Sequence, residues 1–331
     1  MNNTYGKFVV NRVGAPDVLE WVQDIVREPT AKEVRIRNEA VGVDFIDTMI
    51  RSGQLAAQLP TGIGFAAVGI VEDFGNEVQD LAEGDRVAYM YFVGGSYAEQ
   101  RYVPADRVFK LPDQALSPVI AAGALFRGLT AWYLSTQLKE LKPGDTALVH
   151  AAAGGVGLIL LQWLSLLGVK VVGTVDNIEK VATLTEYGCP YPVVLSEQDF
   201  VTKVKEVSDG KGAAVVYESI GAATMERSLD SARRFGLIVS YGWPSGDPEI
   251  PLMTLRNKGS LFITRPTVTH YTAEASDFQR GASELFRLVK EGKLRIHVEH
   301  TYPLADAARS TLLPLKGRAE KFEVLSLMAS C

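Results

Sequence analysis

The sequence predicts an α/β protein: a doubly wound parallel sheet of six strands with helical crossovers, accompanied by a second, mostly β domain. Three observations carry this. From Thr146 onward, short β-prone apolar runs alternate regularly with helical stretches, which is the pattern of strands joined by crossover helices. Residues 5–110 instead alternate short β-like runs with turns, without long helical periodicity. Finally, Thr146 to Gly168, TALVHAAAGGVGLILLQWLSLLG, runs from strand through a small-residue turn into an apolar helix. That order presents backbone N–H groups and a helix N-terminus to a pyrophosphate.

Taken in order, KFVVNRVG, EVRIRNEAVGV, AAVGIVEDFG, DRVAYM and YAEQRYVP read as strands of the first domain. The stretch from Asp113 to Leu134 turns helical, and Leu141-Lys142-Pro143-Gly144-Asp145 makes the turn into the next unit. There follow strand 146–150 and helix 155–167, strand 169–175 and a helix over 177–187 ending at Gly188, then strand 192–195 and helix 197–207. Strand 213–218, a helix over 225–233, and strands 237–241 and 260–265 complete the six-strand set. A helix over 274–291 and the tail, read as a last strand and helix, lie outside that set. They are expected to return to the first domain, giving domains of 1–126 with 266–331, and 127–265. The apolar strand 260–265 is expected at the sheet's edge, where pairing with another chain is favourable.

Composition narrows the function classes. The 331 residues are 47% hydrophobic and 22% charged, ordinary for a globular chain with a large core. The net charge is −5 with no basic block, which argues against a dedicated nucleic-acid surface. Cys189 and Cys331 are too few for a disulfide framework. MNNTYGKFVV lacks the basic and apolar regions of a signal peptide. The apolar stretch 154–173 is interrupted by Gln162, Ser165, Gly168 and Lys170, so its helix stops short of the ~20 residues a membrane span needs. A cytoplasmic protein is expected.

The turn has the dinucleotide fingerprint spacing Ala152-x-Gly154-x-x-Gly157, with alanine in place of the first glycine. Gly154 would admit the phosphates, and Gly157 would let the helix pack closely on its strand. A tight strand–helix turn without ligand has the same local pattern. Two residues after the second strand point in opposite directions. Asp176 stands where a carboxylate binds the ribose 2′-hydroxyl of NAD, whereas Lys180 would attract the 2′-phosphate of NADP. Asp176-x-x-Glu179 also has capping-box spacing, which would occupy the aspartate in starting its helix and favours NADPH.

The chain carries Val43-Asp44-Phe45-Ile46-Asp47-Thr48 with Arg51-Ser52-Gly53, Gly84-Asp85-Arg86-Val87-Ala88, Gly128-Leu129-Thr130-Ala131, the run His150 to Gly157, and Tyr217-Glu218-Ser219-Ile220-Gly221, in that order. With these motifs it resembles, over nearly its whole length, the zinc-independent quinone oxidoreductases, the zeta-crystallin-like group of the medium-chain dehydrogenase/reductase superfamily. The resemblance implies a GroES-like β-barrel domain, a Rossmann domain, reduction of a quinone by NADPH, and a homodimer. It implies cofactor contacts from Phe45, Ile46, Thr130, Trp132, Gly154, Gly155, Val156, Gly157, Asp176, Lys180, Ser219, Tyr241, Gly242, Arg265 and Arg318. A substrate slot would be walled by Asp44, Met49, Leu55, Phe65, Arg127 and Trp243. Relatives carry Asn at the Asp44 position, Tyr at Met49, Tyr near Leu55, a small residue at Asp176 and Tyr at Leu195, so this chain departs at each. Asp44, costly to bury unpaired, could pair with Arg127 or Arg51.

No metal is expected. A catalytic zinc takes about three protein ligands, and zinc-using relatives place Cys where Asp44 stands and His where Phe65 stands. His150, His270, His297 and His300 make no ligand spacing. The cofactor carries the hard chemistry, so no side chain is singled out as an indispensable acid or base. Two other readings share the sequence: an alkenal or enone C=C reductase on the same scaffold, and a non-catalytic nucleotide- or RNA-binding protein.

Overall fold

The computed structural model describes residues 3–112, 116–311 and 323–327. The chain forms two compact units, Met1–Leu129 with Thr272–Gly292 and Ile296–Cys331, and Thr130–Tyr271 with Lys293–Arg295. One division falls inside the helix Pro118–Thr136, and another follows Tyr271, each a few residues beyond the 126/127 and 265/266 limits read from the alternation pattern.

The second unit holds a six-stranded sheet ordered Tyr191–Val194, Lys170–Val175, Thr146–Val149, Ala213–Glu218, Ala232–Ser240, Phe262–Thr264. Every neighbouring pair is parallel. Such strands are buried on both faces and therefore read as continuous apolar runs; all six residues of Ala213–Glu218 are buried. Leu148, Val172, Val193, Val216 and Ile238 meet Phe200, Val204, Met225 and Leu229 of the flanking helices in one core. The strand order reverses between Thr146–Val149 and Ala213–Glu218, and the crevice beyond the carboxyl ends at such a point is where ligands bind.

Local differences from the sequence reading have physical causes. The helix expected over 177–187 is a 3₁₀ turn, Ile178–Lys180, followed by Val181–Glu186. The strand expected at 237–241 begins at Ala232, because Phe235 adopts φ +59° and the pairing shifts register, which lets the chain pair on both sides of the irregularity.

In the first unit, a sheet runs His300–Pro303, Glu323–Ser326, Glu33–Val43, Ala66–Phe74, Arg86–Met90, Val108–Lys110, with Gln100–Pro104 also on Glu33–Val43. A second sheet joins Leu19–Ile25, Thr4–Val10 and Thr61–Gly62. The tail thus supplies two parallel strands, the second antiparallel to Glu33–Val43. The helix Ala275–Lys290 packs here too, stacking Phe286 on Phe109 at 5.6 Å.

Candidate active site

At the carboxyl end of Thr146–Val149 the chain turns through Ala151–Gly154 into the helix Gly155–Leu166. Ala151 takes the left-handed φ of +46°, one residue before the fingerprint's first position. That position, Ala152, is fully buried, and its N–H donates to the Thr174 carbonyl at 2.9 Å. The alanine fits because the facing residue on the next strand is glycine: a Cβ at Gly173 would lie 3.0 Å from that of Ala152. Gly154 caps the helix with no side-chain hydrogen bond, leaving the first amides to a ligand. A Cβ at Gly157 would stand 2.6 Å from the Ala152 carbonyl oxygen, so the close helix–strand approach requires glycine there. Turn and helix start fit a pyrophosphate. Val156 is half-buried, and Gly155 is buried within the same turn.

The other second-unit candidates follow neighbouring strands on the same edge of the sheet. Asp176 comes just after Lys170–Val175, Ser219 after Ala213–Glu218, Tyr241 and Gly242 after Ala232–Ser240, and Arg265 after Phe262–Thr264. Ser219 Oγ donates to the His150 carbonyl at 3.0 Å, and Tyr241 N–H donates to the Glu218 carbonyl at 2.9 Å. Arg265 pairs with Asp247 and lies over the Trp243 ring at 4.1 Å. Thr130 and Trp132 are buried in the helix Pro118–Thr136. Arg318 lies outside the described residues.

The capping-box reading of Asp176 is overturned. The cap is Asn177, whose Oδ1 accepts from Glu179 N–H at 3.0 Å. Asp176 instead forms an ion pair with Lys180 at 2.5 Å. Two adjacent residues can each cap, and the i,i+4 relation to Lys180 gives the aspartate a partner that asparagine could not pair with electrostatically.

In the first unit, Asp44 stands just past the strand Glu33–Val43 as N-cap of the helix Phe45–Ser52. Of its two possible partners it takes Arg127, Nε to Oδ1 at 3.0 Å, while Arg51 donates to the carbonyls of Gly14 and Thr311. Arg127 also donates to the Val43 carbonyl. Burial pushes Asp44 upward from the usual carboxylate value, and the Arg127 charge opposes it. One turn on, Asp47 Oδ2 accepts from Asp44 N–H at 2.9 Å and Tyr97 Oη at 3.1 Å, while Oδ1 has no partner. Burial, reinforced by the neighbouring Asp44 charge, raises Asp47 to about 8, which favours its protonated form.

Phe45 and Ile46 are half-buried in this helix's first turn; Met49 is buried, and its carbonyl accepts from Leu55 N–H at 3.0 Å. Phe65 is buried against Phe92 at 5.9 Å, which in turn meets Phe126 at 6.3 Å. This neighbourhood is apolar and aromatic around a single ion pair.

Residues 30–113 match the model described as alcohol dehydrogenase GroES-like domain, and 155–287 match zinc-binding dehydrogenase. The chain is 41% identical over 307 residues to a 2-haloacrylate reductase of Burkholderia sp, spanning 91% of this chain and 92% of that protein. It is 40% identical over 301 residues to quinone oxidoreductase 1 of Escherichia coli strain K12, covering 90% and 92%. The crystal structure of Escherichia coli quinone oxidoreductase complexed with NADPH superposes with a TM-score of 0.92 at 37% identity, covering 97% of this chain and 99% of that one. The chain belongs to the quinone oxidoreductase family. That family is part of the medium-chain dehydrogenase/reductase superfamily. Among the described residues, no three His, Cys, Asp or Glu side chains converge as a metal site. No described helix is long and apolar enough to cross a membrane.

One cluster escaped the sequence reading. His150, Glu218 and Ser228 are all fully buried together beneath the dinucleotide turn. A glutamate closing the otherwise apolar strand AAVVYE was the available signal, since a charge in a strand buried on both faces needs a reason.

Proposed function

We propose that this quinone oxidoreductase family member reduces a quinone with NADPH by direct hydride transfer, without metal. The observation that carries the reading is the pyrophosphate turn, with Gly154 and Gly157 in place, and Lys180 after the second strand. The NADPH-complexed relative at TM-score 0.92 supports it. Bound NADPH would supply the hydride. The chain's own part is to hold the phosphates on Gly154, Gly155, Val156 and Gly157, attract the 2′-phosphate through Lys180, and wall an apolar slot with Met49, Leu55 and Phe65 beside Asp44 and Arg127. The reduced quinone's oxyanion is resonance-stabilised, so water can protonate it and catalysis is chiefly positioning. Phe45, Ile46, Thr130, Trp132, Ser219, Tyr241, Gly242, Trp243 and Arg265 keep the roles read from the family.

Reduction of an activated C=C bond is the second reading, favoured by 41% identity to a 2-haloacrylate reductase. It requires a placed proton donor. Asp47, whose carboxyl burial raises to about 8, is fully buried, which favours the quinone. NADPH oxidation with 1,4-benzoquinone against 2-hexenal decides: faster turnover of the enal would replace the quinone reading.

We also propose a homodimer through the edge strand Phe262–Thr264. Phe262 is 60% exposed there, and nearby Leu252 is 81% exposed. Exposed apolar edges favour pairing, and a monomer by light scattering at micromolar concentration would contradict it.

A further inference from the structure

His150 follows the strand Thr146–Val149, Glu218 ends Ala213–Glu218, and Ser228 lies in the helix Met225–Ser231. These are the two strands flanking the point where the sheet order reverses. Glu218 Oε1 accepts from Ile220 N–H at 2.7 Å, Gly221 N–H at 3.1 Å and Thr224 Oγ1 at 3.0 Å. Its Oε2 accepts from Ser228 Oγ at 2.5 Å and from Thr224 Oγ1 at 3.0 Å. A carboxylate can only accept, so Ser228 donates its proton to Glu218 and must accept from its other neighbour. That neighbour is His150 Nε2, at 2.9 Å. His150 therefore carries its hydrogen on Nε2, and Nδ1 accepts from Thr174 Oγ1 at 3.0 Å.

With an ionised Glu218 and a neutral imidazole these directions follow, and Thr174, His150 and Glu218 also reach the ligand-binding edge through their carbonyls. The Thr174 carbonyl holds Ala152 N–H of the turn, the His150 carbonyl accepts Ser219 Oγ, and the Glu218 carbonyl accepts Tyr241 N–H. We propose that Glu218, Ser228 and His150 are positioning residues, a buried relay that locks the two strand ends together and sets the shape of the cofactor-binding turn. It deepens the proposed NADPH function and rests on that reading. The serine lies between histidine and glutamate and no member reaches solvent, so this is not the nucleophile–base–acid arrangement of a hydrolase.

The relay requires a neutral histidine. Burial pushes the His150 imidazole below its ordinary value; Glu218 opposes this and Arg227 adds to it. The Phe200 ring meets His150 edge-on at 4.9 Å, with Arg227 over the same Phe200 ring at 4.7 Å and paired to Asp199.

Nitrogen-15 NMR of His150 in the full-length wild-type protein tests the relay without any variant. The expected result is one neutral Nε2–H tautomer from about pH 5.5 to about pH 8.5; titration near the ordinary value of about 6.5 would overturn it. In Ser228→Ala, the dissociation constant for NADPH should rise about tenfold and amide exchange at Ile220 and Gly221 should accelerate about tenfold without cofactor. The kinetic loss should fall on KM for NADPH rather than kcat. Wild-type affinity and exchange in that variant would overturn the relay. Should the wild type itself not bind NADPH, the proposed function fails, while the histidine tautomer still decides the relay.

Discussion

Glu218 and Asp47 are both fully buried carboxyl groups, yet the two units treat them oppositely. Glu218 receives Ile220 N–H, Gly221 N–H, the Thr224 hydroxyl and the Ser228 hydroxyl, so both oxygens are satisfied as an anion's would be. Asp47 receives two donors on one oxygen, leaves the other unpartnered, and faces the charge of Asp44. Burial is common to both; what differs is the supply of donors and, at Asp47, the like charge of Asp44. The Arg127 guanidinium is spent on Asp44, which leaves Asp47 to keep its proton.

Amide substitutions at both positions break this comparison most strongly. Glu218→Gln turns an acceptor into a donor facing donors, and urea unfolding should show a loss of about 3 kcal/mol. Asp47→Asn copies the protonated acid and should be no less stable than the wild type at neutral pH. A comparable loss in both variants would remove the distinction.

The pH dependence sharpens it further. Asp47 is raised in the folded protein from 3.8 to about 8, so between those values the folded state binds the extra proton. Its contribution therefore lowers stability as pH rises through that window. Asp47→Asn should flatten this slope and unfold at higher urea than the wild type near pH 8, with little difference near pH 4. Parallel profiles for the two proteins would contradict the proton assignment.

The sheet was legible because parallel strands buried on both faces announce themselves as apolar runs between helices, and the fingerprint's Gly157 lies where a Cβ would strike backbone. Less legible were features decided by competition between neighbours. Asp176 and Asn177 can both cap, and only the ion pair with Lys180 separates them. Asp44 had two arginines available, and the choice of Arg127 depends on a helix 83 residues away in sequence. The relay of His150, Ser228 and Glu218 spans three segments whose approach the sequence pattern does not encode, although the lone glutamate in AAVVYE marked one end of it.

The smallest expected effect is also the most direct probe of the function. Lys180 is partly exposed and already paired, and such a surface pair contributes only ~0–1 kcal/mol, so the 2′-phosphate can displace Asp176 at modest cost. Steady-state oxidation of NADPH and NADH by 1,4-benzoquinone should then show wild-type preference for NADPH. In Lys180→Ala, KM for NADPH should rise about fivefold, roughly 1 kcal/mol, with NADH barely changed. A wild type that prefers NADH, with Asp176→Gly reversing the preference, would contradict the account and make Asp176 the ribose ligand.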